Sequence, residues 1–216
     1  MPVNISYQLL GFIIPIALLA TTWVTFNLFR KYYGPKTAYF LGFTFYWLAW
    51  CLSVPLLFMS SDEVASLLQF NASLFNRSKT INLVCLVIPL VFAYSYAFPK
   101  ALKFATTNII VLSLALAIIN APLEELLWRG LYLKLFGSAK WLYIIYSSLG
   151  FAISHFAPQQ IFPNKQPGGQ ISFVAFAFVL GIIFSIVAYH TKSILLVSIC
   201  HILFDFSGLG AKIYLS

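Results

Sequence analysis

The stretch 9–29, LLGFIIPIALLATTWVTFNLF, holds no charged residue and is closed by Arg30 and Lys31. A bilayer core about 30 Å thick needs about 20 predominantly apolar residues in a helix, so Leu9 to Phe29 reads as a transmembrane span. No basic n-region precedes it, and the uncharged run is longer than the apolar part of a signal peptide, so an uncleaved first span is expected. The rest of the chain repeats the pattern. Of 216 residues, 61% are hydrophobic and 8% charged, where soluble domains carry about 25% charged residues. With a mean hydropathy of +0.91, a water-soluble globule is excluded.

Working outward, uncharged runs mark a second span at Ala38 to Met59, a third at Thr80 to Phe98 and a fourth at Phe104 to Ile119. Between the second and third, the apolar piece Val64 to Phe75 is too short to cross and suits a surface helix or loop. Pro15, Pro55 and Pro89 lie inside spans, where neighbouring helices can satisfy the freed carbonyls. Asn120, Ala121 and Pro122 interrupt the apolar run. An Asn cap followed by an early proline is a helix-start signal, so a short fifth helix is expected over Ala121 to Phe136. A sixth at Trp141 to Phe156, a polar loop Pro158 to Gln170, a seventh at Ile171 to Tyr189 and an eighth at Ser193 to Phe206 complete the chain. The expectation is an all-α, polytopic membrane helix bundle of about eight spans, one or two of them short or broken. Residues 1–216 form a single membrane domain, with accessory spans over 1–104 and a motif-bearing core over 120–208. No internal repeat or linker is visible.

The net charge of +8 falls in short loops between apolar runs, a topological pattern and not nucleic-acid recognition. Alternating eight spans groups Arg30, Lys31, Lys36, Lys100, Lys103, Lys134, Lys140 and Lys192 on one side. The Asp62 to Lys79 loop, Lys165 and Lys212 take the other. The positive-inside rule then puts the N-terminus outside, and the polar residues described next in the outer half. Cys51, Cys85 and Cys200 are odd in number and fall in apolar runs, so neither a disulfide framework nor a cysteine metal site is inferred. His190 sits at a loop beside Lys192 and reads as interfacial. The aromatic richness reads as lipid-facing and interface packing.

Only five carboxylates exist in the chain. Glu124, Glu125 and Asp205 lie in or beside apolar helices, as do His155 and His201. An ionisable side chain at the bilayer centre costs about 2.5 to 3.5 kcal/mol on insertion scales, so these groups need one another or water. Glu125 and Arg129 are i and i+4 with the acid first, the favoured ion-pair order. Glu124 lies about 100° round the helix and can point elsewhere. His201 and Asp205 are also i and i+4. Under the alternating topology Glu124, His155, His201 and Asp205 share one half of the bilayer and are expected to line one polar cavity.

These residues form three motifs: Glu124-Glu125-Leu126-Leu127-Trp128-Arg129, Phe151-Ala152-Ile153-Ser154-His155 and His201-Ile202-Leu203-Phe204-Asp205. In this order, over about Asn120 to Gly208, the chain resembles the CaaX-protease and bacteriocin-processing family, which includes the Rce1-type CaaX endopeptidases. The resemblance implies an intramembrane endopeptidase acting on a prenylated, lipidated or otherwise membrane-associated protein or peptide. In it Glu124, helped by His155, would polarise a water, and His201 with Asp205 would stabilise the oxyanion. Glu125, Arg129 and Phe151 would support the site. The chain departs from the Rce1-type enzymes at position 205, where they have Asn. An ionised Asp cannot donate to an oxyanion, so Asp205 is either protonated, or orients His201, or helps bind a metal. Glu124, His155, His201 and Asp205 could together hold one divalent ion such as zinc.

Gly-x-Ser-Gly serine sites and His-Glu-x-x-His zinc helices are missing from the sequence, and an aspartyl dyad needs a second intramembrane Asp. Two readings from other classes stand beside the protease: a non-catalytic immunity or partner-binding membrane protein, and a proton-coupled transporter, which the lack of a repeat disfavours. The expected location is a plasma membrane in a prokaryote and an endoplasmic-reticulum-type membrane in a eukaryote.

Overall fold

A computed structural model describes residues 5–70 and 77–215. The described residues are helical without strands, and six helices are long and apolar enough to cross a membrane. In chain order the elements are α1 (Ile5–Tyr33), α2 (Pro35–Phe58), the short α3 (Ser61–Leu67), α4 (Arg77–Phe92, continuing through Leu102), α5 (Thr107–Phe136), α6 (Lys140–Ser154), the single turn α7 (Phe156–Gln159), α8 (Gly169–Thr191), α9 (Leu195–Ser207) and the C-terminal turn α10 (Lys212–Leu215). Expected apolar residues of the Val64 to Phe75 piece beyond residue 70 lie outside the described residues.

Local chemistry sets the boundaries. Gly34 has φ +77°, a conformation glycine adopts freely, and Pro35 behind it occupies the first turn of α2. Ser60 and Glu63 form a reciprocal capping box that starts α3: Glu63 N donates to Ser60 Oγ at 3.2 Å and Ser60 N to Glu63 Oε2 at 2.8 Å. Among the described residues, three wide π-helical turns interrupt the long helices, at Tyr46–Ser53, Ala93–Ala97 and Leu126–Leu131. Such turns recur at functional sites, and two of these three carry residues that reach the polar cluster described below.

One boundary corrects the sequence reading. Asn120, Ala121 and Pro122 do not separate two helices: α5 runs unbroken through them from its cap at Thr106 to Phe136. Pro122 forfeits one backbone hydrogen bond, which a packed membrane helix tolerates, and Asn120 spends its side chain on tertiary partners instead of a cap. The expected fourth and fifth spans are therefore one. Among the described residues, the 15-residue α6 runs beside the six candidate spans, making seven passes through the bundle in all.

That count changes the sidedness of everything after α5. Lys134 Nζ pairs with Glu63 at 2.7 Å and donates to Phe58 O, so α5 ends on the face where α3 lies. Lys140 and Lys192 follow it there, not to the side of Arg30. On the opposite face Arg30 donates to Gln160 O at 3.0 Å and Asn27 to Gln160 Oε1 at 2.6 Å, so the Pro158 to Gln170 loop joins the α1–α2 turn. Lys212 donates to Ala101 O on that same face. Arg30, Lys31, Lys36, Lys100, Lys103, Lys165 and Lys212 thus share one face that has no carboxylate, while Asp62 and Glu63 lie on the other.

The interior and exterior are divided as a bilayer requires. Ile16, Val24, Leu57, Phe104 and Ile171 are among many large apolar side chains left exposed, which suits contact with lipid tails. Inside, α8 packs along α6, α9 along α5 and α1 along α2. Small polar residues join α6 to α8: Ser185 Oγ lies 3.1 Å from Ser147 Oγ and 3.3 Å from Ser148 Oγ, the kind of interhelical bonding that holds membrane helices together. Trp128 is fully buried because Gly150 on α6 leaves room for its ring; a Cβ at 150 would collide with it. Its indole donates to Tyr46 Oη at 3.0 Å, tying α5 to α2.

Candidate active site

Three i, i+4 pairs on two helices build the polar centre. On α5, Asn120 and Glu124 share one face, and Glu125 and Arg129 the next; on α9, His201 and Asp205 project toward both. Glu124, Glu125, Arg129 and His201 are each at most 4% exposed, and Asp205 is partly accessible.

His201 is the hub. Its Nδ1 lies 2.8 Å from Glu125 Oε1. A carboxylate oxygen accepts, so Nδ1 carries the proton and donates. Its Nε2 faces two further carboxylates, Glu124 Oε2 at 3.6 Å and Asp205 Oδ1 at 3.4 Å. Arg129 donates to the same Glu125 Oε1 at 3.0 Å, with both side chains fully buried, as the i, i+4 spacing leads one to expect. Glu125 is thus more than an ion-pair partner: it joins Arg129 to His201.

Phe151 is the seat of this arrangement. The Arg129 guanidinium lies 4.4 Å from the centre of its ring, and the ring meets His155 and His201 edge-on at 4.8 and 5.8 Å between centroids. A cation over an aromatic face is held electrostatically without a counter-charge. The Phe151 carbonyl accepts from His155 Nδ1 at 2.7 Å, which in the neutral imidazole leaves the lone pair on Nε2.

A cavity of ≈ 910 Å³ adjoins the cluster. Asn120, Glu124, His155 and Asp205 line its inner part, and it reaches Lys100, Gln166 and Tyr214 at the basic face. Glu124 and His155 also share a small pocket against Tyr46 and Ser154. Of the four residues expected to share a cavity, Glu124, His155 and Asp205 line it. His201 stands behind them and touches Glu124 and Asp205. Its walls are aromatic, with Phe92, Tyr96, Phe173, Phe176 and Phe204 on α4, α8 and α9.

Asn120 and Trp47 were not visible to the sequence reading as site residues. Asn120 Nδ2 donates to Glu124 Oε2 at 3.1 Å and to Asp205 Oδ2 at 2.9 Å, while its Oδ1 accepts from Trp47 Nε1 at 2.7 Å. The i, i+4 spacing of Asn120 to Glu124 is the one available signal, and the helix-start reading of Asn120 and Pro122 hides it.

No three His, Cys, Asp or Glu side chains among the described residues come together in a metal-binding group. The space between Glu124 and Asp205 is bridged by an amide NH₂, a pair of donors where a cation would need acceptors.

Fold and geometry together define a membrane-embedded helical bundle with a buried carboxylate–imidazole cluster beside a large cavity. Residues 105–207 match the family described as type II CAAX prenyl endopeptidase, Rce1-like, a protease family. All three motifs fall within it. No curated protein and no solved structure matches the chain.

Proposed function

We propose that this protein is an intramembrane endopeptidase of the CaaX type in which Glu124 is the general base. The observation that carries the reading is that Glu124, buried at the inner end of a large cavity, shares that wall with His155 and is braced from behind by His201 and Asn120. A carboxylate so placed can take a proton from water while the water oxygen adds to the scissile carbonyl carbon. Collapse of the adduct breaks the C–N bond, and the proton passes to the leaving amine. His155, held by the Phe151 carbonyl, orients the water through Nε2. His201 supports Glu124 from behind, and Asp205, 3.4 Å from His201 Nε2, orients that imidazole, since an ionised carboxyl cannot donate to an oxyanion.

The aromatic walls suit an apolar chain or lipid group beside the cleaved segment, so a prenylated or otherwise lipidated protein or peptide is the proposed substrate class. The face reached by the cavity carries Arg30, Lys31, Lys36, Lys100, Lys103, Lys165 and Lys212 and no acid. By the positive-inside rule this face is cytoplasmic, so the substrate enters from the cytosolic side. The test is hydrolysis of a lipidated peptide by the purified protein in detergent, with product masses locating the cleaved bond. Intact peptide after prolonged incubation with well-folded wild type counts against the proposal and in favour of a binding protein with the same fold.

A further inference from the structure

The family match begins at residue 105, yet α2 also reaches the polar cluster, with Tyr46 beside Glu124 and Trp47 bonded to Asn120. Trp47 lies in the π-helical turn Tyr46–Ser53, is 8% exposed, and donates its indole N–H to Asn120 at 2.7 Å. An indole can only donate, so the atom of Asn120 facing it is the oxygen, and the amide orientation follows. The Nδ2 group is then directed at the carboxylates. Its two hydrogens meet two acceptors, Glu124 Oε2 at 3.1 Å and Asp205 Oδ2 at 2.9 Å, one on α5 and one on α9.

We propose that Trp47 and Asn120 form a positioning clamp that fixes Glu124 and Asp205 relative to each other and to His201. The proposal rests on the proteolytic reading for its functional meaning. Asn120 has both hydrogens committed and so has none for substrate; it is a positioning residue, not a catalytic one. Trp47 decides which way the amide faces. Without it the amide can turn its oxygen to two carboxylates, and the two acids lose their common donor. The other groups around the pair are already held: His201 by Glu125, and Glu125 by Arg129. The clamp is therefore what ties Glu124 to Asp205 through one amide, and it gives the spans before residue 105 a part in the site.

Two measurements test this. The first needs no hydrolysis: the indole N–H resonance of Trp47 is assigned by its loss in Trp47→Phe and followed in Asn120→Ala, Glu124→Gln and Asp205→Asn. The clamp predicts that it moves in all three. An unmoved resonance in Asn120→Ala overturns the hydrogen bond and the proposal with it. The second is kinetic. Asn120→Ala and Trp47→Phe should each lower kcat, by up to about 10²-fold, as misplacement of a reacting group by about 1 Å does, with KM little changed. The double variant should be no worse than Asn120→Ala alone, because both act through one amide. Wild-type kcat in folded Asn120→Ala, or a loss confined to KM, overturns the proposal. If the resonances move as expected but the wild type hydrolyses nothing, the clamp stands and the proteolytic reading falls.

Discussion

His201 Nδ1 and Glu125 Oε1 are 2.8 Å apart, and the same oxygen receives the Arg129 guanidinium at 3.0 Å. The pair commonly expected of an i, i+4 Glu and Arg is thus wired into the imidazole that faces Glu124. Breaking a buried ion pair by removing one member costs about 3 to 5 kcal/mol. Glu125→Gln and Arg129→Leu should each lower thermal stability in detergent strongly. Among the molecules that remain folded, Glu125→Gln should also lower turnover, because a neutral amide oxygen holds His201 and Arg129 more weakly than the carboxylate does. Stability loss with unchanged turnover per folded molecule would confine Glu125 to a structural role.

Glutamate-based chemistry makes a clear statement about metals. Turnover should survive exhaustive chelation, and metal analysis of the purified protein should find no stoichiometric zinc. Asp205→Asn should be tolerated better than Glu124→Gln, since Asn can still accept from Asn120 through its carbonyl oxygen. Activity lost on chelation and restored by zinc, together with a dead Asp205→Asn, would point to a metal ligand at 205.

Seven passes among the described residues predict relative sidedness without reference to function. In a background lacking Cys51, Cys85 and Cys200, cysteines introduced at Lys165 and Lys31 should be labelled from one side of a sealed membrane, and at Asp62 from the other. Labelling of position 165 together with position 62 would restore eight crossings and a break at Asn120.

Outside the membrane, the Glu63 carboxyl is held below the ordinary carboxylate range, first by hydrogen bonds from the Lys134 ammonium and then by the Ser60 backbone. A depressed pKa in the folded state adds stability above the unfolded pKa, and that stability is lost as pH falls through the folded value. Acid titration of the melting temperature should therefore be shallower in Glu63→Gln than in the wild type below about pH 4.3, the ordinary Glu value. Both partners are partly exposed, so the effect is small.

The spans and the three motifs were legible because they rest on local rules. Twenty apolar residues in a row, and acid–base pairs four apart, are properties of a few turns of helix. The helix junction at Asn120 was misread for the same reason: Asn then Pro is a local start signal, and only tertiary partners override it. Those partners are 73 and 85 residues away, at Trp47 and Asp205, and no periodicity carries such pairings. The misread junction then propagated, because one false break reverses the face of every later loop. Phe151 was legible as part of a motif but not as the ring beneath Arg129, which needs α5 and α6 to be seen side by side.

The central claim is that Glu124 takes the proton from water, and Glu124→Gln tests it most directly. The change keeps size and hydrogen-bonding capacity while removing the basic group, and Asn120 can still donate to the amide oxygen. With purified wild type and variant compared on one lipidated peptide in detergent, and equal melting temperatures showing equal folding, kcat should fall by about 10² to 10⁴ fold, the usual worth of a general base. A folded Glu124→Gln protein that cleaves the peptide at the wild-type rate would contradict the account.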